Sequence, residues 1–145
     1  MPTPRLISDL SDEHVRRAWR WIAEESYWGA RIPWDVFSRA CAGSLCFGLV
    51  EDDDLLAFAR VVTDQATFAW LCDVFVDDRA RDRGLGKQLM VDILADPRLQ
   101  GLRRWGLATA DAHGLYTQHG FEAADPLRHM EMVDRDVYPV LSSTT

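Results

Sequence analysis

The chain contains the stretch CDVFVDDRARDRGLGKQLMVDIL, which runs from Cys72 to Leu94 and decides the fold. Its early part, Val74–Val76, is apolar and β-branched or aromatic, which is typical of a strand. An arginine-rich turn follows and ends at Gly84-Leu85-Gly86. Leu85, Leu89 and Ile93 then recur four residues apart, as on one face of a helix. The sequence therefore predicts a strand, a tight turn and a helix that begins at the two glycines.

Two glycines at the start of a helix favour an anion site. The first turn of a helix has N–H groups without partners in the helix, and the helix dipole places partial positive charge there. Glycine lets a phosphate approach the backbone closely and tolerates a positive φ. The residues predicted to bind such an anion are Arg81, Asp82, Arg83, Gly84, Leu85, Gly86 and Lys87.

Neither of the two familiar phosphate-binding loops matches this turn. The pattern GxxxxGK[ST] fails because Arg81 stands in place of its first glycine and Gln88 in place of its hydroxyl residue. The pattern GxGxxG fails because Leu89 stands in place of its last glycine. A nucleotide-binding protein is therefore a weaker hypothesis. A glycine turn that only caps an ordinary helix stays open as an alternative.

Two motifs resemble the GNAT superfamily of N-acetyltransferases. The segment RDRGLG at residues 81–86 is similar to the superfamily signature Q/R-x-x-G-x-G/A, whose loop holds the pyrophosphate of acetyl-CoA. A second segment, Thr109–Phe121, looks like the superfamily's other cofactor motif, in which a tyrosine on a short helix precedes Gly-Phe by four residues. These residues are Tyr116 and Gly120-Phe121 here. The resemblance extends over about residues 45–132.

The resemblance implies an α+β fold for a single domain over residues 1–145. Its central sheet would be mixed and mostly antiparallel, with six to seven strands and about four helices, and splayed at the acetyl-CoA site. The implied activity is acetyl-CoA-dependent N-acetylation of a primary amine by direct attack in a ternary complex, without a metal. The implied cofactor contacts include the main chain of Val74, Phe75 and Val76. A module that binds or senses acyl-CoA without turnover is the alternative.

Three side chains are candidates for the chemistry. The resemblance places Tyr116 at the leaving thiolate. A free phenol has a pKa of about 10 and a thiol about 8.5, so a hydrogen bond is easier than full proton transfer. The amine must lose a proton before it attacks, and Glu25 and Asp73 are the candidate bases, directly or through water. Asp73 interrupts an apolar strand, where a carboxylate must be paired or used, so a salt bridge to Arg60 is the other interpretation.

An aromatic loop between two predicted helices favours an acceptor site. Tyr27, Trp28 and Arg31 lie in a stretch that contains a glycine and ends in a proline. Large aromatic side chains are costly to expose, so they either pack as core under the loop or line a pocket. In the resembling superfamily this region lies over the acceptor pocket. The three residues are therefore predicted to bind the acceptor.

Hydrophobic periodicity and turn residues predict the remaining elements. The predicted helices run from an N-cap at Ser11 to about residue 24, over 36–41, from Gly84 to about residue 96, and over 112–118. The predicted strands are 5–7, 45–51, 55–62, 67–76, 105–109, the segment at Phe121, and 129–133. The strands between 45 and 76 would form an antiparallel meander, and a crossover helix would join 67–76 in parallel to 105–109.

Composition limits the partners. The 145 residues carry a net charge of −7, and Lys87 is the one lysine among sixteen Lys and Arg side chains. An acidic chain disfavours nucleic-acid binding and suits a small amine or a peptide amine, with a cationic acceptor favoured by charge. No apolar run is long enough to predict a membrane span. A homodimer is a further hypothesis.

Cysteine usage predicts the compartment. Cys41, Cys46 and Cys72 are odd in number and form no CxxC pair, so reduced thiols are expected rather than a disulfide framework. The start MPTPRLISDL lacks the basic-then-apolar pattern of a signal segment. Both features predict a cytoplasmic protein.

Overall fold

The computed structural model describes residues 3–138, in which helices cover both faces of one central sheet. The five strands of this range are β1 (Arg5–Ile7), β2 (Leu45–Glu51), β3 (Asp54–Thr63), β4 (Phe68–Val76) and β5 (Arg104–Gly106). They lie in the sheet in chain order. The pairs β1–β2, β2–β3 and β3–β4 are antiparallel, and β4–β5 is parallel.

Four α-helices within the described residues surround the sheet. They are α1 (Asp12–Glu25), α2 (Trp34–Ala42), α3 (Leu85–Leu94) and α4 (His113–Thr117). Ser11 begins α1 as predicted, because its side chain accepts a hydrogen bond from the backbone N–H of His14. In return, Nδ1 of the His14 ring accepts a hydrogen bond from the backbone N–H of Ser11, so both of these N–H groups have partners.

Two apolar clusters hold the layers together, one on each face of the sheet. On one face, Leu89 and Ile93 of α3 are fully buried against β2, β3 and β4. On the other face, Ile22 of α1 and Phe37 of α2 pack with Phe58 of β3. Burying each such side chain contributes about 1.5–3 kcal/mol. The two-sided burial explains why β3 and β4 are nearly continuous apolar runs.

Most predicted elements are confirmed, including the mixed sheet, the four helices and β2 over residues 45–51. The predicted count of six to seven strands is wrong for the described residues, which form five. Phe121 and residues 129–133 were predicted as strands, but neither is one. Residues 129–132 alternate polar and apolar side chains as a strand does, but within residues 3–138 they pair with no strand. The extent of the single domain over residues 1–145 stays a prediction.

No helix within residues 3–138 is long and apolar enough to cross a membrane.

A buried carboxylate fixes the turn between β4 and α3. Asp77 accepts hydrogen bonds from Arg17 of α1 (2.7 Å) and from Arg79 (2.6 and 2.9 Å), and both arginines also contact Asp54. Burial opposes ionisation of Asp77, but the hydrogen bonds from Arg79 and Arg17 prevail and hold its pKa at about 2. The network therefore ties the start of this turn to α1 and β3.

Replacing this carboxylate tests its contribution to stability. Asp77→Asn should lower the free energy of unfolding by about 1–3 kcal/mol at pH 7, because two guanidinium groups lose a charged partner. The folded pKa lies below the unfolded value of about 3.9, so the stabilisation is present above pH 4 and is lost as the pH falls towards 2. Urea unfolding across this range should show the two proteins converging.

The control is Asp78→Asn at the neighbouring position. The Asp78 side chain is exposed and forms a surface ion pair with Arg81, so its loss should cost less than about 1 kcal/mol. Equal effects at both positions would contradict a special role for Asp77.

Candidate functional site

A β-bulge in the middle of β4 redirects the chain at Asp73. Phe58 pairs with Phe75 and Arg60 with Cys72, so two residues of β4 stand opposite one residue of β3. Asp73 has φ +56°, a left-handed conformation that is uncommon for a residue other than glycine. The bulge brings the Asp73 side chain to the edge of a cleft beside β4.

The strands β4 and β5 part where the cleft begins. Their pairing ends at Trp70 and Gly106, whereas β4 continues to Val76. The Trp70 ring lies against Gly106, where an added Cβ would be 2.7 Å from the ring. Residues 107–109 were predicted to continue the strand. Instead they diverge from β4 and line the cleft.

The cleft has a volume of about 230 Å³ and receives side chains from three parts of the chain. Two come from the loop after α1, five from β4, and the rest from the continuous segment that runs from the end of β5 into α4. Its lining residues are Tyr27, Trp28, Trp70, Leu71, Cys72, Asp73, Val74, Leu107, Ala108, Thr109, Asp111, Ala112 and Tyr116.

The aromatic loop is fixed to both walls of the cleft. Trp28 Nε1 donates to Asp73 Oδ1 (3.1 Å) on the β4 side. Tyr27 Oη accepts from the backbone N–H of Ala110 (2.9 Å) on the β5 side. Both rings are exposed and pack edge to face, 5.0 Å apart. The loop therefore spans the gap between the parted strands rather than packing as core.

Tyr116 of α4 is one of the residues that line the cleft. The residue is 8% exposed, and its ring packs edge to face on Phe121. Burial raises the pKa of the Tyr116 phenol, with smaller contributions from Asp111 and Tyr27. The hydroxyl is therefore protonated at neutral pH and can donate a hydrogen bond into the cleft.

Asp73 forms the predicted salt bridge to Arg60. Arg60 Nε donates to Asp73 Oδ2 (2.9 Å), and the Asp73 side chain is 9% exposed. Each carboxylate oxygen keeps a second lone pair, so Asp73 can still accept from a group in the cleft. Burial raises the pKa of the adjacent Cys72 thiol to about 12, so this thiol is protonated at neutral pH.

The start of α3 leaves N–H groups without side-chain partners. Gly84 has φ +73° and occupies the N-cap position, so it supplies no capping side chain. A Cβ on Gly84 would meet no described atom within 4 Å, and one on Gly86 would meet only Leu115 at 3.6 Å. This open approach to the first turn of α3 is the geometry expected of an anion site.

The charged side chains near this turn differ in how firmly they are engaged. Arg81 and Arg83 are exposed and form surface ion pairs with Asp78 and Glu51. Lys87 is exposed and forms no ion pair within residues 3–138. Such exposed groups can turn towards an anion at little cost. Asp82, also exposed, has φ +65° and shapes the turn.

The structure brings together only part of the predicted site. Asp73, Val74, Tyr116, Tyr27 and Trp28 share one cleft. Glu25 and Arg31 are exposed and lie outside its lining. The side chains of Phe75 and Leu85 are core, so only their main chains are available, and Val76 is half-buried.

Trp70 and Asp111 also line the cleft, although they were not among the predicted site residues. In the sequence Trp70 is an ordinary strand residue. Its place at the end of the β4–β5 pairing follows only from its contact with Gly106, which is distant in sequence. Asp111 lies inside the quoted tyrosine motif, so its nearness to Tyr116 could have been predicted. Among the described residues no group of three or more His, Cys, Asp or Glu is placed to hold a metal ion.

A family model and a solved structure both match this chain over much of its length. A family model described as an acetyltransferase (GNAT) domain matches residues 42–123. A Xanthomonas campestris pv. campestris crystal structure, described as a candidate acetyltransferase of the GNAT family, is 43% identical, with a TM-score of 0.90 over 97% of this chain and 99% of that chain.

Two further matches are more distant. A Gibberella zeae protein named as a candidate acetyltransferase is 30% identical over 111 residues. The match covers 62% of this chain and 62% of the length of that protein. The N-acetylglutamate synthase of Neisseria gonorrhoeae, solved with coenzyme A and N-acetylglutamate, shares the fold at 18% identity. Its TM-score is 0.66 over 86% of this chain and 30% of that chain.

The contact between Trp70 and Gly106 predicts an unusual response to alanine. Gly106→Ala should lower the free energy of unfolding by about 1–3 kcal/mol, because the new methyl group collides with the Trp70 ring. Gly114→Ala is the control, since a Cβ there meets no described atom within 4 Å and the residue is helical. It should be neutral or stabilising by up to about 1 kcal/mol. Urea unfolding that showed the same sign at both positions would contradict the contact.

Proposed function

This chain belongs to the GNAT acetyltransferase family, and from that premise we propose that it transfers the acetyl group of acetyl-CoA to a primary amine. The amine attacks the thioester directly while both substrates are bound. The observation that supports the proposal is the cleft between the parted strands, whose lining includes Tyr116 together with Asp73 and Val74 of the β4 bulge. When bound, acetyl-CoA supplies an acetyl group activated as a thioester.

The start of α3 fits the pyrophosphate of the cofactor. The N–H groups of Leu85, Gly86 and Lys87 point out of the first turn without a side-chain cap, and the approach to Gly84 is open. Lys87 and the exposed guanidinium groups of the turn add positive charge. Partial and full charges therefore act together on one anion.

The unpaired half of β4 fits the pantetheine arm. Beyond Trp70, β4 has no described strand on its β5 side. The main chain of Val74–Val76 can therefore hydrogen-bond to the amides of the arm, as one strand does to another. In this arrangement the backbone N–H near Val74 donates to the thioester oxygen as negative charge develops on it.

Tyr116 stabilises the leaving sulfur by donating a hydrogen bond. Its raised pKa makes full proton transfer to a thiolate still less favourable, so the phenol acts as a donor rather than as an acid. A hydrogen bond that strengthens as charge builds on sulfur lowers the barrier without binding the ground state more tightly.

The acceptor amine enters on the side of the aromatic loop. Tyr27 and Trp28 border the cleft there, and Arg31 lies in the same loop. Asp73 can accept a hydrogen bond from an ammonium group and so orient it. Asp73 is also a candidate base for the amine, directly or through water, although one of its oxygens already accepts from Arg60. Glu25, exposed at the end of α1, remains the other candidate base.

Direct attack is favoured over a covalent enzyme intermediate. Cys72 is the one cysteine among the lining residues of the cleft. Its thiol is held protonated by burial, with a pKa of about 12. A protonated thiol is a poor nucleophile, so an acetyl-cysteine step lacks an activated group.

The anion site predicts a specific loss of coenzyme A affinity. Gly86→Val should raise the dissociation constant for coenzyme A tenfold or more, about 1.4 kcal/mol, because the side chain holds the pyrophosphate away from the backbone. Gly43→Val adds the same atoms at the exposed end of α2 and should leave the affinity unchanged. The measurement is calorimetric titration of coenzyme A into each folded variant. Unchanged affinity in Gly86→Val would remove the anion site.

The catalytic role is tested by release of coenzyme A from acetyl-CoA across a panel of small amines, polyamines, amino acids and peptide amines. The parent protein should show turnover with at least one amine class. Tyr116→Phe keeps the ring and should leave coenzyme A affinity unchanged while lowering the single-turnover rate about 10²-fold, the low end for a lost acid or donor. Single-turnover kinetics are needed because slow product release would hide the effect.

Two outcomes would count against this function. Turnover by Tyr116→Phe at the parent rate would leave Tyr116 as packing around the cofactor. Coenzyme A binding by the parent without product from any amine would favour the acyl-CoA sensor instead.

A further inference from the structure

Two of the three cysteines lie side by side where α2 leads into β2. Cys41 is in the last turn of α2, and Cys46 is the second residue of β2. Cys46 Sγ lies 3.6 Å from the carbonyl oxygen of Cys41, and the two thiol groups are in hydrogen-bonding contact with each other. Both residues are half-buried, so a small solute can reach the pair.

The turn between the two cysteines is fixed by hydrogen bonds. The backbone N–H of Ser44 donates to the carbonyl oxygen of Cys41 (3.2 Å), and Ser44 Oγ donates to the carbonyl oxygen of Ala40 (2.7 Å). These bonds end α2 and hold the turn against its last residues. Secondary structure therefore sets the position of each thiol relative to the other.

A positive charge lies beside Cys46. Cys46, Arg60 and Cys72 stand opposite one another on β2, β3 and β4, so they form one row across the sheet. The hydrogen bond from Cys41, together with the charge of Arg60, lowers the pKa of the Cys46 thiol against the opposing effect of burial. The same hydrogen bond raises the pKa of the Cys41 thiol. Cys46 is therefore the better nucleophile of the pair.

The third cysteine cannot take the place of Cys41. Arg60 stands between Cys72 and Cys46 in the row, so two strand spacings, about 10 Å, separate their backbones. A disulfide requires Cα atoms within about 7 Å of each other. Burial also raises the pKa of the Cys72 thiol to about 12.

We propose that Cys46 is an oxidation site for hydroperoxides and that Cys41 is its resolving partner. The Cys46 thiolate attacks one oxygen of the peroxide, the O–O bond breaks, and a sulfenic acid forms while the other oxygen leaves as water or an alcohol. Cys46 is then no longer a thiolate, so the hydrogen bond that kept Cys41 protonated is lost.

The second step forms a disulfide. The Cys41 sulfur attacks the Cys46 sulfur, the S–O bond breaks, and water leaves with the thiol proton. Each sulfur loses one electron over the two steps, and the peroxide gains both. A thiol reductant reverses the reaction by disulfide exchange.

Two hydrogen bonds link this oxidation site to the cleft. Ser44, which lies between the cysteines in the chain, accepts from Arg60 Nη1 (3.1 Å), and Arg60 Nε donates to Asp73 Oδ2 (2.9 Å). A disulfide draws Cys46 towards Cys41 and shifts the turn that carries Ser44. Oxidation therefore weakens the support of Asp73 on the acceptor side of the cleft, a consequence that rests on the proposed function.

Mass spectrometry of tryptic peptides tests the site. Cleavage after arginine leaves Cys41 and Cys46 together in peptide 40–60 and Cys72 in peptide 61–79. The folded protein is treated briefly with hydrogen peroxide, and free thiols are then alkylated. Peptide 40–60 should lack two hydrogens and carry no alkyl group, and Cys46 should be oxidised about tenfold faster than Cys72 or more. Two alkylated cysteines in peptide 40–60, or equal oxidation of Cys46 and Cys72, would overturn the proposal.

Single substitutions separate the two roles. In Cys41→Ser the sulfenic acid at Cys46 should persist and be trapped by dimedone, whereas Cys46→Ser should give no trapped product in peptide 40–60 at the same peroxide concentration. Cys72→Ser is the matched control and should form the disulfide at the parent rate. Rapid trapping at Cys41 in the Cys46→Ser protein would contradict the assignment of the nucleophile.

Charge substitutions test whether Arg60 activates Cys46. Arg60→Gln removes the positive charge and should slow oxidation of Cys46 about threefold or more, whereas Asp73→Asn removes the opposing negative charge and should speed it. Loosened packing would speed oxidation in both variants. Changes of the same sign, or no change in either, would rule out this activation.

The last measurement is the effect of oxidation on acetyl transfer. The peroxide-treated parent should show a single-turnover rate about tenfold lower, restored by dithiothreitol, with unchanged affinity for coenzyme A because the start of α3 lies outside this network. Cys46→Ser should be insensitive to the treatment. A parent that forms the disulfide and keeps its rate would overturn the link to the cleft. A parent that transfers no acetyl group would count against the proposed function and leave the mass-spectrometric result intact.

Discussion

The separation of β4 from β5 is the constraint on which the rest of the site depends. A right-twisted pair of strands would normally stay paired along its length, but here the Trp70 ring lies against Gly106 and pairing stops. Three residues later the bulge at Asp73 turns the β4 backbone into a left-handed conformation. The gap that results exposes main-chain groups of β4 and admits side chains from the loop after α1 and from α4.

Ion pairs and a hydrogen bond hold the distorted backbone in place. Asp73 is tied to Arg60 on β3 and to Trp28 on the aromatic loop, so the bulge is supported from two sides. At the other end of β4, Asp77 connects the turn before α3 to α1 through Arg17. A strained backbone conformation such as that of Asp73 persists where several surrounding contacts hold it in place. Arg81 and Arg83 of the turn, by contrast, form only surface ion pairs, so they can turn towards an anion at little cost.

The sequence predicted the local motifs better than it predicted which of their residues lie close together in the structure. Gly84, Gly86 and Tyr116 are readable because backbone freedom and a short helix leave local signals. The proximity of Trp70, Asp111 and Tyr27 depends on the parting of two strands that are distant in sequence, which no local pattern encodes. Residues 129–133 show the opposite failure. Their partly alternating side chains predicted a strand, and this prediction is wrong, because a strand forms only where a neighbouring strand pairs with it.

A crystal structure of the protein with coenzyme A tests the central claim most directly. The pyrophosphate should contact the N–H groups of Leu85–Lys87, the pantetheine arm should run along Val74–Val76, and the thiol sulfur should lie within hydrogen-bonding distance of Tyr116 Oη. Coenzyme A bound elsewhere, for example in a second cavity beside Trp105 with the cleft between β4 and β5 empty, would contradict the claim.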